Sequence, residues 1–154
     1  MRTITPEELN NRFPKLISGT FLPMSKATPR YNCIAFVVGD ERHWWEAEGI
    51  GGRFRWFDGL PRKTDVKTLV RAFKERGYEL TDNRNVEPGY EKVAIYVDVD
   101  EMEFSHIAHS DGIIWKSKLG KGQDIHHYSL DVLEGDDVDE YGIVDKILRR
   151  PRGE

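Results

Sequence analysis

Three strand-like segments follow one another between residues 92 and 118, and they restrict the fold more than any other part of the chain. Lys92 to Val99 carries the run Val93-Ala94-Ile95-Tyr96-Val97, Phe104 to His109 forms the second segment, and Ile113 to Lys118 the third. Ser110-Asp111-Gly112 separates the last two, and a turn of that composition predicts a tight antiparallel hairpin. Further on, residues 134–140 read as an acidic loop and Tyr141 to Arg149 as a closing helix or strand.

The preceding half reads differently. Thr5-Pro6-Glu7-Glu8 joins an N-cap, a proline at the first helical position and a Glu three residues after the cap. A short helix is expected there, stopping before Pro14. Pro14, Gly19, Pro23 and Pro29 make residues 14–30 an extended loop. Asn32 is a second cap candidate, ahead of Cys33-Ile34-Ala35-Phe36-Val37-Val38 with Gly39 placed to end the turn. Six apolar residues suit a buried strand equally well. Residues 40–63 are rich in Trp and Gly and read as irregular and aromatic-lined. Thr64 then caps the clearest helix, where Val66, Leu69, Val70 and Phe73 share a face and Gly77 ends the run. Helices first and sheet second predict an α+β fold, with N-terminal helices packed on a C-terminal antiparallel sheet. A length of 154 residues suits one domain: 1–30 as N-terminal helix and loop, 31–150 as core, 151–154 as tail.

Charge narrows the partners. The net charge of −4, with signs mixed along the chain, leaves no electrostatic footprint for nucleic acid. Arg149-Arg150-Pro151-Arg152 reads as a solvated end that would at most touch a phosphate or an acidic partner. A single cysteine asks for no oxidising compartment. The N-terminus lacks a signal-peptide character, and no apolar run approaches the roughly 18 residues of a membrane span. A cytoplasmic protein that binds neither membrane nor nucleic acid is expected.

The chemistry, if there is any, centres on Cys33 and His106. Cys33 at the first position of a helix would meet unpaired backbone N–H groups and the macrodipole, which favour a thiolate. Among Ile34, Ala35 and Phe36 it is equally a buried structural thiol. His106 shares a strand face with the small Ala108, which would leave room for a helix end or a substrate. Asp124, His127 and Ser117 are candidates to orient the imidazole, alongside His126. Asn32, Trp44, Trp45, Trp56 and Lys118 are candidate binding residues, the tryptophans as the lining of a groove. Metal does not fit: His126 and His127 diverge on either a strand or a helix, and Cys33 completes no zinc pattern. No cofactor is implied, and Gly49-Ile50-Gly51-Gly52 lacks the flanks of a phosphate loop.

Several of these segments form a resemblance. Tyr31-Asn32-Cys33-Ile34-Ala35-Phe36, Gly39-Asp40, Trp44-Trp45, Gly77-Tyr78-Glu79, His106-Ile107-Ala108 and Trp115-Lys116-Ser117-Lys118-Leu119-Gly120 are the most telling. With Asp124-Ile125 and His127 they resemble a family of small bacterial domains of unknown function, marked by a YNCIAW-like motif and an SKLG…H motif. More remotely the order is similar to papain-like hydrolases of the NlpC/P60 and CHAP kind. That resemblance implies a papain-like fold and a cysteine hydrolase or amidase, with Cys33 as nucleophile, His106 as base and Ser117, Asp124 or His127 as orienter. The other expectation is a non-catalytic protein-binding module, of immunity or phage-related type, in which the same residues are structural. A peptide, amide or protein is the expected partner.

Overall fold

The computed structural model describes residues 21–23, 30–46, 55–61, 63–119, 124–135 and 141–152, the first three as backbone only. The helix expected after Thr5, the glycine run at 49–52, Gly120 to Gln123 and residues 136–140 of the acidic loop lie outside the described residues.

The fold is mainly β, which corrects the expected α+β, papain-like arrangement. Seven strands form one antiparallel sheet: β1 (Phe21–Pro23), β2 (Glu79–Thr81), β3 (Tyr90–Val97), β4 (Phe104–Ser110), β5 (Trp115–Lys118), β6 (Asp124–His127) and β7 (Ile143–Pro151), in the spatial order β1-β6-β5-β4-β3-β7-β2. The described α-helices are two short ones, α1 (Cys33–Val37) and α2 (Val66–Glu75), and Asp131–Leu133 adds one 3-10 turn. A segment read as loop supplies a strand instead, since Phe21–Pro23 falls inside the expected extended loop, and Asp124–His127, assigned no element from the sequence, pairs along β5. Helical spacing marks only α2 clearly, so the sheet dominates.

Local chemistry explains each helix. Asn32 caps α1, its side-chain oxygen accepting from Ala35 N at 3.1 Å, and Gly39 follows at φ 84. A five-residue helix is not stable by itself, so burial of Cys33, Ile34 and Ala35 holds it. Asp65, not Thr64, caps α2: its carboxylate accepts from Thr68 N at 2.7 Å. Leu69, Ala72 and Phe73 are buried beneath α2, each large side chain contributing about 1.5–3 kcal/mol.

Alternation along the strands gives the sheet two faces. On one, Val93, Ile95, Ile107 and Leu148 pack against Ile34 and Cys33 of α1 and against Leu69 and Phe73 of α2. On the other, Ala94, Tyr96, Ala108, Trp115, Ile125 and Ile147 pack beneath Leu130, Val132 and Leu133. A bulge shifts the register of β7 against β3 between Ile95 and Tyr96, so that Val144 pairs with Tyr96 and Ile147 with Ala94. Both thereby join the second cluster.

Polar contacts gather where β3 begins and β7 ends. Lys92 is fully buried, and its ammonium donates to the carbonyls of Asn83 and Asn85 at 2.9 and 2.7 Å and pairs with Glu87 at 2.7 Å. The arginines expected in a solvated tail are tied down. Arg149 pairs with Glu87 at 2.7 Å, Arg150 with Glu91 at 2.6 Å, and Arg152 donates to Asp111 O at 3.0 Å. Among the described residues no helix is long and apolar enough to cross a membrane.

Candidate functional site

Cys33 occupies the first turn of α1, where sequence reasoning put it, but it is buried at 8% exposure among Ile34 and Ile107. Burial pushes its thiol up to about 11, against lowering contributions from the Ile107 backbone and from Lys118. The helix start does not overcome that desolvation, so the expected thiolate is not favoured.

His106 does not meet it. Ile107 packs in the cluster beneath α1, and the next residue along a strand points the other way, so His106 lies on the opposite face. There it is fully buried, stacked on Tyr141 at 4.1 Å between ring centroids and beside Tyr96 at 5.3 Å. The room expected beside Ala108 is filled, since Ala108 packs into the second cluster with Trp115 and Ile125.

Two of the expected orienting groups do meet, away from Cys33. The Ser117 hydroxyl lies 2.8 Å from His127 Nε2, and His127 Nδ1 lies 2.8 Å from the Ser129 carbonyl. A carbonyl only accepts, so Nδ1 carries the proton and Nε2 accepts from Ser117. Burial lowers the His127 imidazole to about 4, opposed by the Ser129 bond and aided by His126. A serine bonded to a neutral histidine has the form of a nucleophile and its base. Both residues are 0% exposed, and no reactant reaches them. Their role is to satisfy each other in the core.

Asp124 and Lys118 lie opposite one another on β6 and β5, on the helix-bearing face with Cys33. Lys118 is buried with its ammonium 4.8 Å from the Tyr31 ring centroid, and burial lowers it to about 8 against the opposing pull of Asp124 and Cys33. Trp56 is a core residue, its indole donating to Pro61 O at 2.8 Å, and Trp44 is half-buried. Among the described residues no group of three or more His, Cys, Asp or Glu is placed to hold a metal.

The cavity that the fold does open lies elsewhere, at the end of the sheet where both helices begin, with a volume of about 570 Å3. Asn32 and Ile34 of the α1 start, Thr64 and Asp65 of the α2 start and Lys63 form one side. Met102 to Ser105, entering β4, form another, and Trp45 and Glu46 complete it. Asn32 positions Trp45 directly: its amide donates to Trp45 O at 2.6 Å and its oxygen accepts from Trp45 N at 3.2 Å. The indole N–H donates to Asp40 at 2.9 Å, and the ring meets Phe57 edge-on at 5.2 Å.

The opposite wall is shaped by Asp98. Its carboxylate accepts from the backbone N–H groups of Asp100, Glu101 and Glu103, and these bonds, Glu101's foremost, lower its pKa. The turn so formed puts Met102 in the left-handed region at φ 56, the one described residue other than glycine there. Met102 is half exposed at the cavity's lip.

Of the expected binding residues, Asn32 and Trp45 line this cavity; Trp44, Trp56 and Lys118 do not. Sequence reasoning missed Asp65 and residues 102–105. The Asp98 turn was signalled only by an aspartate just after a strand.

The sequence matches the family described as a domain of unknown function, DUF7689, over residues 23–149, and the chain belongs to that family. No curated protein matches it, and no solved structure does.

Proposed function

We propose that this chain is a non-catalytic protein-binding module, and that its cleft takes a basic side chain of the partner beside an apolar one. The observation that carries the reading is the lining of the 570 Å3 cavity. Trp45, Phe104, Ile34 and Met102 supply apolar and aromatic surface, while Glu46, Asp65 and Glu103 outnumber the one basic residue, Lys63. Its volume falls within the range of about 300–1,000 Å3 usual for binding clefts. An aromatic wall with carboxylates around it suits a lysine or arginine, through ring–cation contact and charge pairing.

The hydrolase reading requires an accessible thiolate with an imidazole in reach. The burial of Cys33 and the direction of His106 speak against it, and the same residues serve as core.

The test uses blocked hexapeptides in which Lys adjoins Phe, with Glu replacing Lys as the control, titrated calorimetrically into the full chain. The Lys peptide is expected to bind and the Glu peptide not. Glu103→Lys is expected to abolish binding, and Phe104→Ala to weaken it by about 1–2 kcal/mol. Equal binding of both peptides, no binding of either, or binding indifferent to Glu103→Lys overturns the reading. Iodoacetamide provides an independent arm: Cys33 is expected to react slowly in the folded chain. Fast alkylation that His106→Ala removes would restore the hydrolase.

A further inference from the structure

A second cavity, of about 450 Å3, lies beside the loop that carries Trp45, lined by Gly39, Asp40, Glu41, Arg42, His43 and Arg55. Asp40 organises it. One carboxylate oxygen accepts from Arg42 N at 2.8 Å and His43 N at 3.1 Å; the other accepts from the Trp45 indole at 2.9 Å. His43 Nδ1 lies 3.0 Å from that second oxygen. Burial works against its ionisation, but the bonds from Trp45, Arg42 and His43 outweigh it and hold the carboxyl at about 2.

The consequence is directional. Asp40 is consumed by these bonds and fixes the His43 ring with Nδ1 inward and Nε2 toward Arg55, whose guanidinium lies 3.4 Å away. Arg42 and Arg55 both line the cavity, and Arg55 lies against His43. Two arginines therefore share one cavity with an anchored imidazole, and among the described lining residues Glu41 is the one carboxylate not engaged in fixing the loop.

We propose that this cavity binds a phosphate group, free or as a monoester, gripped by Arg42 and Arg55, with His43 holding Arg55 in place. Planar guanidinium forks match phosphate oxygens in pairs, and each bond is charge-assisted. A ring whose Nδ1 donates to Asp40 presents Nε2 at a fixed place, where it accepts from the Arg55 guanidinium and so sets the position of that fork. Two forks offer more donors than the two oxygens of a carboxylate use. The site is separate from the basic-residue cleft.

The experiment follows the His43 ring and Arg55 Nε–H signals of the isotope-labelled full chain by NMR, at constant ionic strength, as inorganic phosphate is added. Saturable shifts at both residues are expected. Arg55→Gln and Arg42→Gln are each expected to weaken binding about tenfold, the loss of one charge-assisted pair. Both side chains are exposed, so the thermal melt should be unchanged. Glu41→Gln is expected to tighten binding by removing the opposing charge.

Phenyl phosphate separates the sources: tighter binding than inorganic phosphate assigns the site to a phosphorylated organic ligand, and equal binding to free phosphate. Either supports the site. Absence of saturable shifts, wild-type affinity in Arg55→Gln, or acetate binding as well as phosphate overturns it.

Discussion

Lowering the pH from 7 should unload stability, and His127 carries the largest share. Its imidazole is fully buried, held neutral between the Ser117 hydroxyl and the Ser129 carbonyl, with its pKa lowered by burial from 6.5 to about 4. In the unfolded chain it titrates at its ordinary value. Between those two values the unfolded state binds a proton that the folded state refuses, so unfolding becomes easier as the pH falls. The contribution is intact above 6.5, declines from there and is gone by about 4, where the folded state also protonates. At about 1.4 kcal/mol per unit, a shift from 6.5 to about 4 amounts to about 3 kcal/mol. Against a typical domain stability of about 5–15 kcal/mol that is a large share.

His109 and His126 are lowered as well, by burial first, and add slope of the same sign. The comparison that isolates His127 is therefore wild type against His127→Gln, by urea unfolding followed through tryptophan fluorescence at intervals from pH 7.5 to 4. The carboxyls of Asp40 and Asp111, held at about 2, stay ionised in the folded chain over this range. Wild-type stability is expected to fall more steeply than that of the variant, by about 3 kcal/mol over the range. Parallel curves would refute the reasoning, because they would mean that His127 titrates alike in both states.

Two further perturbations address the frame. Lys92→Met leaves the carbonyls of Asn83 and Asn85 without their donor and Glu87 without its buried cation, and is expected to cost about 3 kcal/mol in chemical denaturation. A loss below about 1 kcal/mol would show that the 82–89 loop is not held by this ammonium. Gly142 sits at φ 80, where an added Cβ would lie 1.9 Å from the Val97 carbonyl oxygen, so Gly142→Ala is expected to cost upwards of about 3 kcal/mol. An unchanged melting temperature would contradict that close approach.

What could be read from the sequence was local. The Asn32 cap, the α2 face through Leu69 and Phe73, and the β4–β5 hairpin each depend on residues within a few positions of one another. Thr64 and Asp65 are both good cap acceptors, and the extended backbone of Asp65, whose carboxylate takes the Thr68 N–H, decides between them. The Cys33–His106 pairing depended on something non-local. Alternation correctly puts His106 and Ala108 on one face, but it does not say which face looks at α1, and a one-residue change of phase exchanges every side chain.

The last strand posed a similar problem. Ile143, Val144, Ile147 and Leu148 are spaced as on a helix, and the bulge in β7 reconciles that spacing with a strand. The larger cavity joins residues from distant segments, Asn32 with Phe104, so no short window of sequence contains it; the smaller lies within residues 38–55, but nothing local to that stretch shows that Arg55 comes back against His43.

The strand order also imposes a timetable. β7 follows every other described strand in chain order, yet it lies inside the sheet, between β3 and β2. Until it arrives, β3 holds only β4, one of its edges is bare from Tyr90 to Val97, and β2 has nothing to pair with. Closing β7 onto β3 joins residues some fifty positions apart, a non-local step that comes late and slows folding. During synthesis, then, a strand with six buried residues waits with an open edge, the condition under which strands pair with the wrong neighbour.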